Sequence, residues 1–273
     1  MNRFRKIYDK VIQHPIRSSA TVLVLVSIVV IGLSLPLYWT QFDEMYLNVL
    51  AEAHGMIFDI LVIGMLLYWL REQGDKKQRI SQYIDEIDDF RLWESEEAAF
   101  RNVGNIKRLN RHGITKIDLV GTYLRKTNLS KVNLTQANLN TANVSNSVLI
   151  EANLQEARLN QTNFENANLN QANLSKTYAS GANFKDSFLI KANFEGAFLI
   201  KTDFSNAYLM EANLRNCALA ETNFDDANLY KADFRGSEGL SLEQLQKAKS
   251  LYLAQFDPEI YAILEKEVPD LIG

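Results

Sequence analysis

The residue types that most often carry out catalysis are few and widely separated in this chain. Its three histidines are His14, His54 and His112, and Cys217 is the only cysteine. No metal-binding His-Glu-x-x-His motif, paired-cysteine motif, nucleophile motif or phosphate-binding glycine loop is present. The sequence therefore predicts a protein that is not an enzyme and that has no catalytic residue, no cofactor and no bound metal.

The charge of the chain is almost balanced. Lys and Arg number 29 and Asp and Glu number 33, which gives a formal net charge of −4. This is too small to indicate a nucleic-acid partner or a strongly acidic mimic of one. A single cysteine excludes an intrachain disulfide, which fits a reducing compartment.

The most regular feature of the sequence is a five-residue repeat. From Lys116 the chain divides into 24 pentads without an insertion. The fourth residue is Leu or Phe except at Val144 and Ala179, the second is small except at Ile117 and Val132, and the third is most often Asn. A period of five fits neither a helix nor an ordinary strand, so each pentad must repeat one backbone conformation that buries one large and one small residue.

These pentads resemble the pentapeptide-repeat family, whose pattern is A-[DN]-L-x-x. The resemblance covers residues 116–236. It implies an all-β solenoid, a right-handed quadrilateral β-helix with one pentad on each face, four pentads per coil and about six coils. At strand spacing, about 4.8 Å per coil, such a rod is roughly 25–30 Å long. Third-position Asn suits bonding to nearby backbone, and Cys217 at a second position is expected to be a small buried residue.

Some outward positions of this solenoid are apolar where polar residues are expected. With four pentads per coil, residues twenty apart lie on one face and residues ten apart on opposite faces. One face then carries Val148, Ile150, Phe188, Ile190, Tyr208, Met210 and Tyr230. The opposite face carries Tyr178, Phe198 and Ile200, with Ala218 and Ala220. Exposed apolar patches mark interaction sites, and Phe188, Phe198 and Tyr208 are the predicted hot spots. Two alternatives remain: the protein's own helices cover these faces, or the aromatic residues turn inward.

Two apolar runs near the N-terminus predict a transmembrane hairpin at residues 19–70. Residues 19–39 carry no charge and are long enough to cross a membrane, and residues 53–70 are interrupted only by Asp59. The first run could also be a signal peptide, and the second a buried or interfacial helix. Asp59 either faces another helix or a polar path, or reaches water near the outer end of its span.

The distribution of basic residues predicts the orientation of this hairpin. The basic tail, residues 1–18, and the segment after residue 70 carry Lys and Arg, whereas the loop Thr40–Glu52 carries none. The positive-inside rule then places both termini and the repeat in the cytoplasm. The resemblance adds a bacterial inner membrane as the expected location, with the lipid bilayer as a partner.

Helical segments are expected on both sides of the repeat. Residues 71–115 form a predicted helical connector and N-terminal cap, with one helix beginning near Ser95, ending near Gly113 and burying Ala99, Phe100, Val103 and Ile106. A coiled coil is the alternative. Residues 237–273 form a predicted C-terminal helical cap, in which a capping box at Ser241 begins a helix over residues 241–254 and Pro258 begins a shorter one.

The expected function is that of a membrane-anchored scaffold or adaptor that binds an unidentified protein or another copy of itself through the solenoid surface. An oligomeric pore or transporter component is the alternative. The resemblance also implies a third function, because some members of the family mimic DNA and bind DNA gyrase. Residues 116–236 contain 12 Asp and Glu against 12 Lys and Arg, and this neutral balance argues against both DNA mimicry and a nucleic-acid partner.

Overall fold

The computed structural model describes residues 42–272, together with Ile28, Ile31 and Gly32. It divides into two compact units, Met1–Gly74 and Asp75–Gly273. The predicted basic tail, residues 1–18, lies outside the described residues. So does the predicted first span, residues 19–39, apart from those three isolated helical positions.

Helix α1 runs without a break over Phe42–Asp89, a length of 48 residues. It contains the predicted second span, and it is the one helix of the described part that is long and apolar enough to cross a membrane, by length and composition alone. The predicted loop Thr40–Glu52 is already helical from Phe42, so this expectation was wrong over most of its length. No proline lies within α1, and isolated glycines such as Gly64 and Gly74 weaken a helix without ending it.

The repeat forms a solenoid with a period of twenty residues. Third-position residues pair in parallel with the residues twenty positions later, from Asp118 with Asn138 to Ala218 with Glu238. Four pentads therefore make one coil, as predicted, and the 24 pentads form six coils, numbered 1 to 6 from residue 116. Only one residue per pentad makes the bridge, because a turn follows it, so no strand of several residues is found in the described part of the chain.

The four columns of third-position residues define four faces. Face 1 is formed by Asp118, Asn138, Arg158, Tyr178, Phe198 and Ala218. Face 2 is formed by Tyr123, Asn143, Asn163, Asn183, Asp203 and Asn223. Face 3 is formed by Asn128, Val148, Asn168, Phe188, Tyr208 and Asn228. Face 4 is formed by Asn133, Asn153, Asn173, Asn193, Asn213 and Asp233.

Every backbone N–H of a typical pentad has an acceptor. In the pentad at residues 151–155, the N–H groups of positions one, three and four donate to carbonyl oxygens of neighbouring coils at 2.7–3.0 Å. The N–H of position two donates across the preceding turn at 3.0 Å. The remaining N–H, that of Gln155, donates to Oδ1 of Asn153 at 3.1 Å. The preference for Asn at position three follows, because a short side-chain acceptor is needed there.

The first residue of every pentad after the first adopts a left-handed backbone conformation. Non-glycine residues such as Lys131, Glu151 and Gln171 have φ of 56–59° at this position. This conformation costs a non-glycine residue roughly 1–2 kcal/mol. The ladder of hydrogen bonds between coils offsets that cost, so glycine is not required at this position. The left-handed turn therefore leaves no direct signal in the sequence.

The core is filled by the second and fourth positions. On the inner side of face 2, the rings of Phe164, Phe184, Phe204 and Phe224 stack with centroids 4.8, 5.1 and 5.7 Å apart. All four side chains are fully buried. Stacks of this kind contribute about 0.5–1.5 kcal/mol per pair beyond burial.

Helix α2, Glu96–Arg111, covers the open edge of coil 1. Its N-cap is Ser95, whose Oγ accepts from the N–H of Ala98, and it ends at Arg111, two residues before Gly113 and close to the predicted end. Asn110 pairs with Asn133 of coil 1 as a residue of a preceding coil would. Its side-chain amide accepts from the N–H of Asn133 and donates to the carbonyl of the same residue, both at 2.8 Å. Of the predicted buried face, Ala99, Val103 and Ile106 are buried.

Phe100 is the exception on that face. Its side chain is 66% exposed, so the expectation that it is buried was wrong. It follows Ala99 by one position, about 100° around the helix, and therefore points away from the solenoid edge.

The solenoid continues beyond residue 236 as a partial seventh coil. Asn228 pairs with Ser250 and Asp233 with Gln255, a spacing of 22 residues. Helix α3, Leu242–Leu245, begins with the predicted capping box but ends after four residues, so the expected helix over 241–254 was wrong. Residues 253–257 again read as a pentad, with a small second residue and a Phe at the fourth.

Two short helices complete the described chain. Helix α4, Pro258–Glu267, begins at the predicted proline and buries Leu264, and helix α5 covers Pro269–Ile272. The predicted helical cap at 237–273 is therefore partly solenoid and partly helix.

Close packing of this seventh coil makes Gly239 difficult to replace. A Cβ at Gly239 would lie 2.9 Å from the backbone N of Ala220, at a φ of +74°. We expect Gly239→Ala to destabilise the protein by at least about 2 kcal/mol more than Gly181→Ala. Both substitutions place an alanine in a left-handed conformation, but only the one at Gly239 also creates a clash. Gly181 is the matched control, since its φ is +66° and its nearest contact is 3.7 Å away. Urea unfolding of the full chain in detergent measures the difference, and equal losses would contradict this packing.

Candidate interaction surface

The predicted apolar residues lie on two opposite faces of the solenoid. Val148, Phe188 and Tyr208 are third-position residues of face 3. Ile150, Ile190 and Met210 are fifth-position residues of the same pentads, and Tyr230 is the fifth residue of the face 3 pentad that contains Asn228. Tyr178 and Phe198 belong to face 1, with Ile200 at the fifth position beside them. Faces 1 and 3 are opposite because each coil has four bridging positions at equal spacing.

Each of these two faces presents one stacked aromatic pair in coils 4 and 5, and face 3 carries a further stack of Tyr230 on Tyr252 beyond them, with centroids 6.0 Å apart. The rings of Tyr178 and Phe198 lie 5.1 Å apart and 2° from parallel, and those of Phe188 and Tyr208 lie 5.0 Å apart and 4° from parallel. These side chains are 40–48% exposed. They therefore do not turn inward, and neither α2 nor the C-terminal helices cover them.

The two aromatic pairs lie at nearly the same level of the solenoid. Tyr178 and Phe188 both belong to coil 4, residues 176–195, and Phe198 and Tyr208 both belong to coil 5, residues 196–215. This placement was not foreseen from the sequence. The signal is present in the spacing, because residues ten apart within one coil occupy opposite faces and differ along the axis by only half the rise of a coil, about 2.4 Å.

Unpaired charges of opposite sign flank the two pairs. On face 1, the side chains of Arg158 and Lys176 form no ion pair or hydrogen bond within the part of the chain that the structure describes. They line a shallow cavity of about 820 Å³ with Tyr178, Phe198 and Glu156, whose carboxylate accepts from the amide of Gln136. On face 3, the carboxylates of Asp186 and Asp226, first-position residues, are likewise unpaired within the described residues.

Charges at the corners of the solenoid behave differently. Lys131 and Glu151 are 3.5 Å apart, and Lys191 and Glu211 are 3.6 Å apart, one coil after another. Such exposed pairs contribute little to stability, but they neutralise the corners. Summed over six pentads, the formal charge is +1 on face 1 and −1 on face 3, with −1 on face 2 and +1 on face 4, so only the placement of charges beside the aromatic pairs distinguishes faces 1 and 3.

The aromatic residues on these faces remove side-chain acceptors from the backbone. Ile190 lies two residues after Phe188, which offers no side-chain acceptor. Its N–H donates instead to Oδ1 of Asn170 in the preceding coil at 2.9 Å. The N–H groups of Ile200 and Met210 have no acceptor among the residues that the structure describes. Both faces thus present an open backbone donor beside the aromatic pair.

Two other predicted residues lie away from these faces. Asp59 is an exposed residue of α1 in the first unit. Cys217 is buried at a second position, and its Sγ donates to the carbonyl of Phe194 at 3.0 Å. Burial raises the pKa of Cys217 to about 12, so the thiol is a packing residue, as predicted. In the described part of the chain, no group of three or more His, Cys, Asp and Glu residues could hold a metal ion.

The comparisons with known proteins identify the repeat. Residues 115–146, 147–186, 187–222 and 203–238 match the family model of pentapeptide repeats, with eight copies. Together these matches cover residues 115–238, the whole of the five-residue repeat. No curated protein in the comparison matches the chain.

Solved structures of pentapeptide-repeat proteins also match. A thylakoid-lumen protein of Arabidopsis thaliana is 26% identical, with 38% of this chain and 70% of that chain covered and a TM-score of 0.28. HetL of Nostoc sp. strain PCC 7120, involved in heterocyst differentiation regulation, is 24% identical over 55% of this chain and 78% of its own, at a TM-score of 0.19. QnrB1, a plasmid-mediated fluoroquinolone resistance protein, is 17% identical over 56% of this chain and 83% of its own, with a TM-score of 0.32.

The environment of Cys217 predicts slow reaction with thiol reagents. At pH 8 we expect Cys217 of the folded protein to react at least about a hundredfold more slowly than the unfolded chain, because a raised pKa leaves almost no thiolate. Cys217→Ser should unfold within about 1 kcal/mol of the parent, since Ser237 makes the same bond to Leu214 at 2.6 Å. Reaction with a chromogenic disulfide, with and without urea, measures this; fast labelling of the folded chain would contradict it.

Proposed function

We propose that this protein is a membrane-anchored scaffold whose pentapeptide-repeat domain holds protein molecules at the membrane through faces 1 and 3. The observation that carries the proposal is the pair of exposed aromatic stacks on opposite faces of an otherwise polar solenoid. Aromatic residues are enriched among binding hot spots, and a rigid backbone loses little entropy on binding.

The outward positions of faces 2 and 4 support this assignment of the binding surface. Their third positions remain Asn or Asp in every coil except at Tyr123. A solenoid that served only as a spacer would have no reason to differ between faces. The neutral balance of the repeat favours a protein partner over a nucleic acid.

Membrane anchoring rests on α1 and on the charges that flank its apolar run. Asn48 lies in the predicted outer segment, and Gln78 lies beyond the run beside Lys76, Lys77 and Arg79. The proposed topology places Asn48 outside and Gln78, with the whole repeat domain, in the cytoplasm.

Labelling from outside the cell tests this topology. In the Cys217→Ser background, a membrane-impermeant maleimide should label Asn48→Cys in intact cells and Gln78→Cys only after permeabilisation. Both sites are exposed positions on one helix, so each is the control for the other. Labelling of Gln78→Cys in intact cells would contradict the topology, and extraction of the chain by alkaline carbonate would contradict anchoring itself.

Photocrosslinking in native membranes tests the binding surface. A photoreactive residue at Phe188 should give intermolecular crosslinks at least about tenfold above the same residue at Asn183, a face 2 position in the same coil, a ratio equivalent to about 1.4 kcal/mol. Phe188→Asp should abolish the crosslinked complex captured by a probe at Tyr208 on the same face, whereas Asn183→Asp should not, because Asp203 already occupies the equivalent place in the next coil. Equal yields at Phe188 and Asn183 would contradict a role for face 3.

A further inference from the structure

We infer that the occupant of these faces is a second copy of this chain, with face 1 of one solenoid packed against face 3 of the next. The inference rests on the proposed function and deepens it. Three features of the described residues support it: the height of the aromatic pairs, the residue types at each height and the sign of the flanking charges.

The height of the aromatic pairs permits contact with a shift of only half a coil, about 2.4 Å, along the solenoid axis. Tyr178 and Phe188 lie in coil 4 on opposite faces, and Phe198 and Tyr208 lie in coil 5. Translating a copy sideways with this shift therefore brings Tyr178 of one molecule opposite Phe188 of another, and Phe198 opposite Tyr208. At both levels one Tyr meets one Phe, which allows offset or edge-to-face packing of the rings.

The flanking charges favour the pairing of unlike faces over like faces. Arg158 and Lys176 on face 1 would meet a surface that carries Asp186 and Asp226 on face 3. Two copies of face 1 would instead bring four cations together with only the two Glu156 carboxylates between them, and two copies of face 3 would bring four carboxylates together. Like charges across an interface oppose association, so the interface is expected to be heterologous.

A heterologous interface between opposite faces does not close on itself. Each added copy leaves one face 1 and one face 3 free, so the product is a row of solenoids rather than a symmetric dimer. A single face is small by the standard of stable complexes, which predicts weak association in dilute solution. Confinement of the copies to one membrane raises their effective concentration, and a translated row keeps every copy in the same orientation.

Cysteine crosslinking of the full chain in membranes tests this geometry. Two differently tagged chains in the Cys217→Ser background carry Ala218→Cys on face 1 and Asn228→Cys on face 3, both third positions of coil 6. The control pair is Asn223→Cys on face 2 and Asp233→Cys on face 4, at the same positions of the same coil. We expect the mixed disulfide of the first pair to exceed both the control pair and each variant alone by about tenfold.

The outcomes of this experiment are distinct. A yield no higher than that of the control pair would overturn the inference. Strong crosslinking of Ala218→Cys with itself would also overturn it, in favour of a symmetric interface. If a probe at Phe188 captured only a different protein while these crosslinks were absent, the proposed scaffold function would be supported and the inferred self-association would be wrong.

Mixing two defective variants provides a second and independent test. Phe198→Asp prevents binding through face 1, and Phe188→Asp prevents binding through face 3. Each variant alone should therefore stay monomeric in detergent, even at high concentration. A mixture of the two should form pairs but no longer rows, because each variant retains the face that the other lacks. Sedimentation of the full chains, with urea unfolding to verify folding, distinguishes this result from dimers of one variant alone, which would contradict the inference.

Discussion

The whole repeat domain depends on the pairing of its backbone N–H groups, one pentad at a time. Three of the five N–H groups reach adjacent coils, one crosses the turn, and the last is held by the side chain of the third residue. Because a buried or half-buried amide without an acceptor is costly, this arrangement explains the composition of the repeat. It requires a small residue where the chain turns inward, a large one beneath the bridge and a short acceptor at position three.

The same arrangement determines where function can lie. Side chains at the second and fourth positions are buried in the core, and residues at the first position adopt a left-handed turn. Only the third and fifth positions are therefore free to vary in size and polarity. On faces 2 and 4 these positions serve the backbone almost throughout. On faces 1 and 3 they depart from that role in coils 4 and 5, where Tyr178, Phe188, Phe198 and Tyr208 replace the Asn acceptor.

The sequence predicted the solenoid, its period and the two apolar faces because all three follow from strict periodicity. It did not reveal the left-handed turn, since Lys, Glu and Gln at first positions carry no glycine signal. It placed a helix over 241–254 because the capping box at Ser241 is a local signal, whereas the pairing of Ser250 and Gln255 with coil 6 is a tertiary one. Phe100 was misplaced by a single helical position, which periodicity alone resolves poorly.

The aromatic residues of faces 1 and 3 are difficult to explain from the stability of an isolated chain. Phe198 replaces an acceptor that would hold the N–H of Ile200, and its ring remains 45% exposed, so the substitution loses a hydrogen bond and recovers only part of the burial of a core phenylalanine. Asn183 and Asn193, in neighbouring pentads of coil 4, show that the fold accepts the ordinary residue at this level. Local departures of this kind from the rule that stabilises a fold are expected at functional sites. The two rings of each pair stack on one another, and we propose that a contact from outside the molecule supplies the rest of the compensation on both faces.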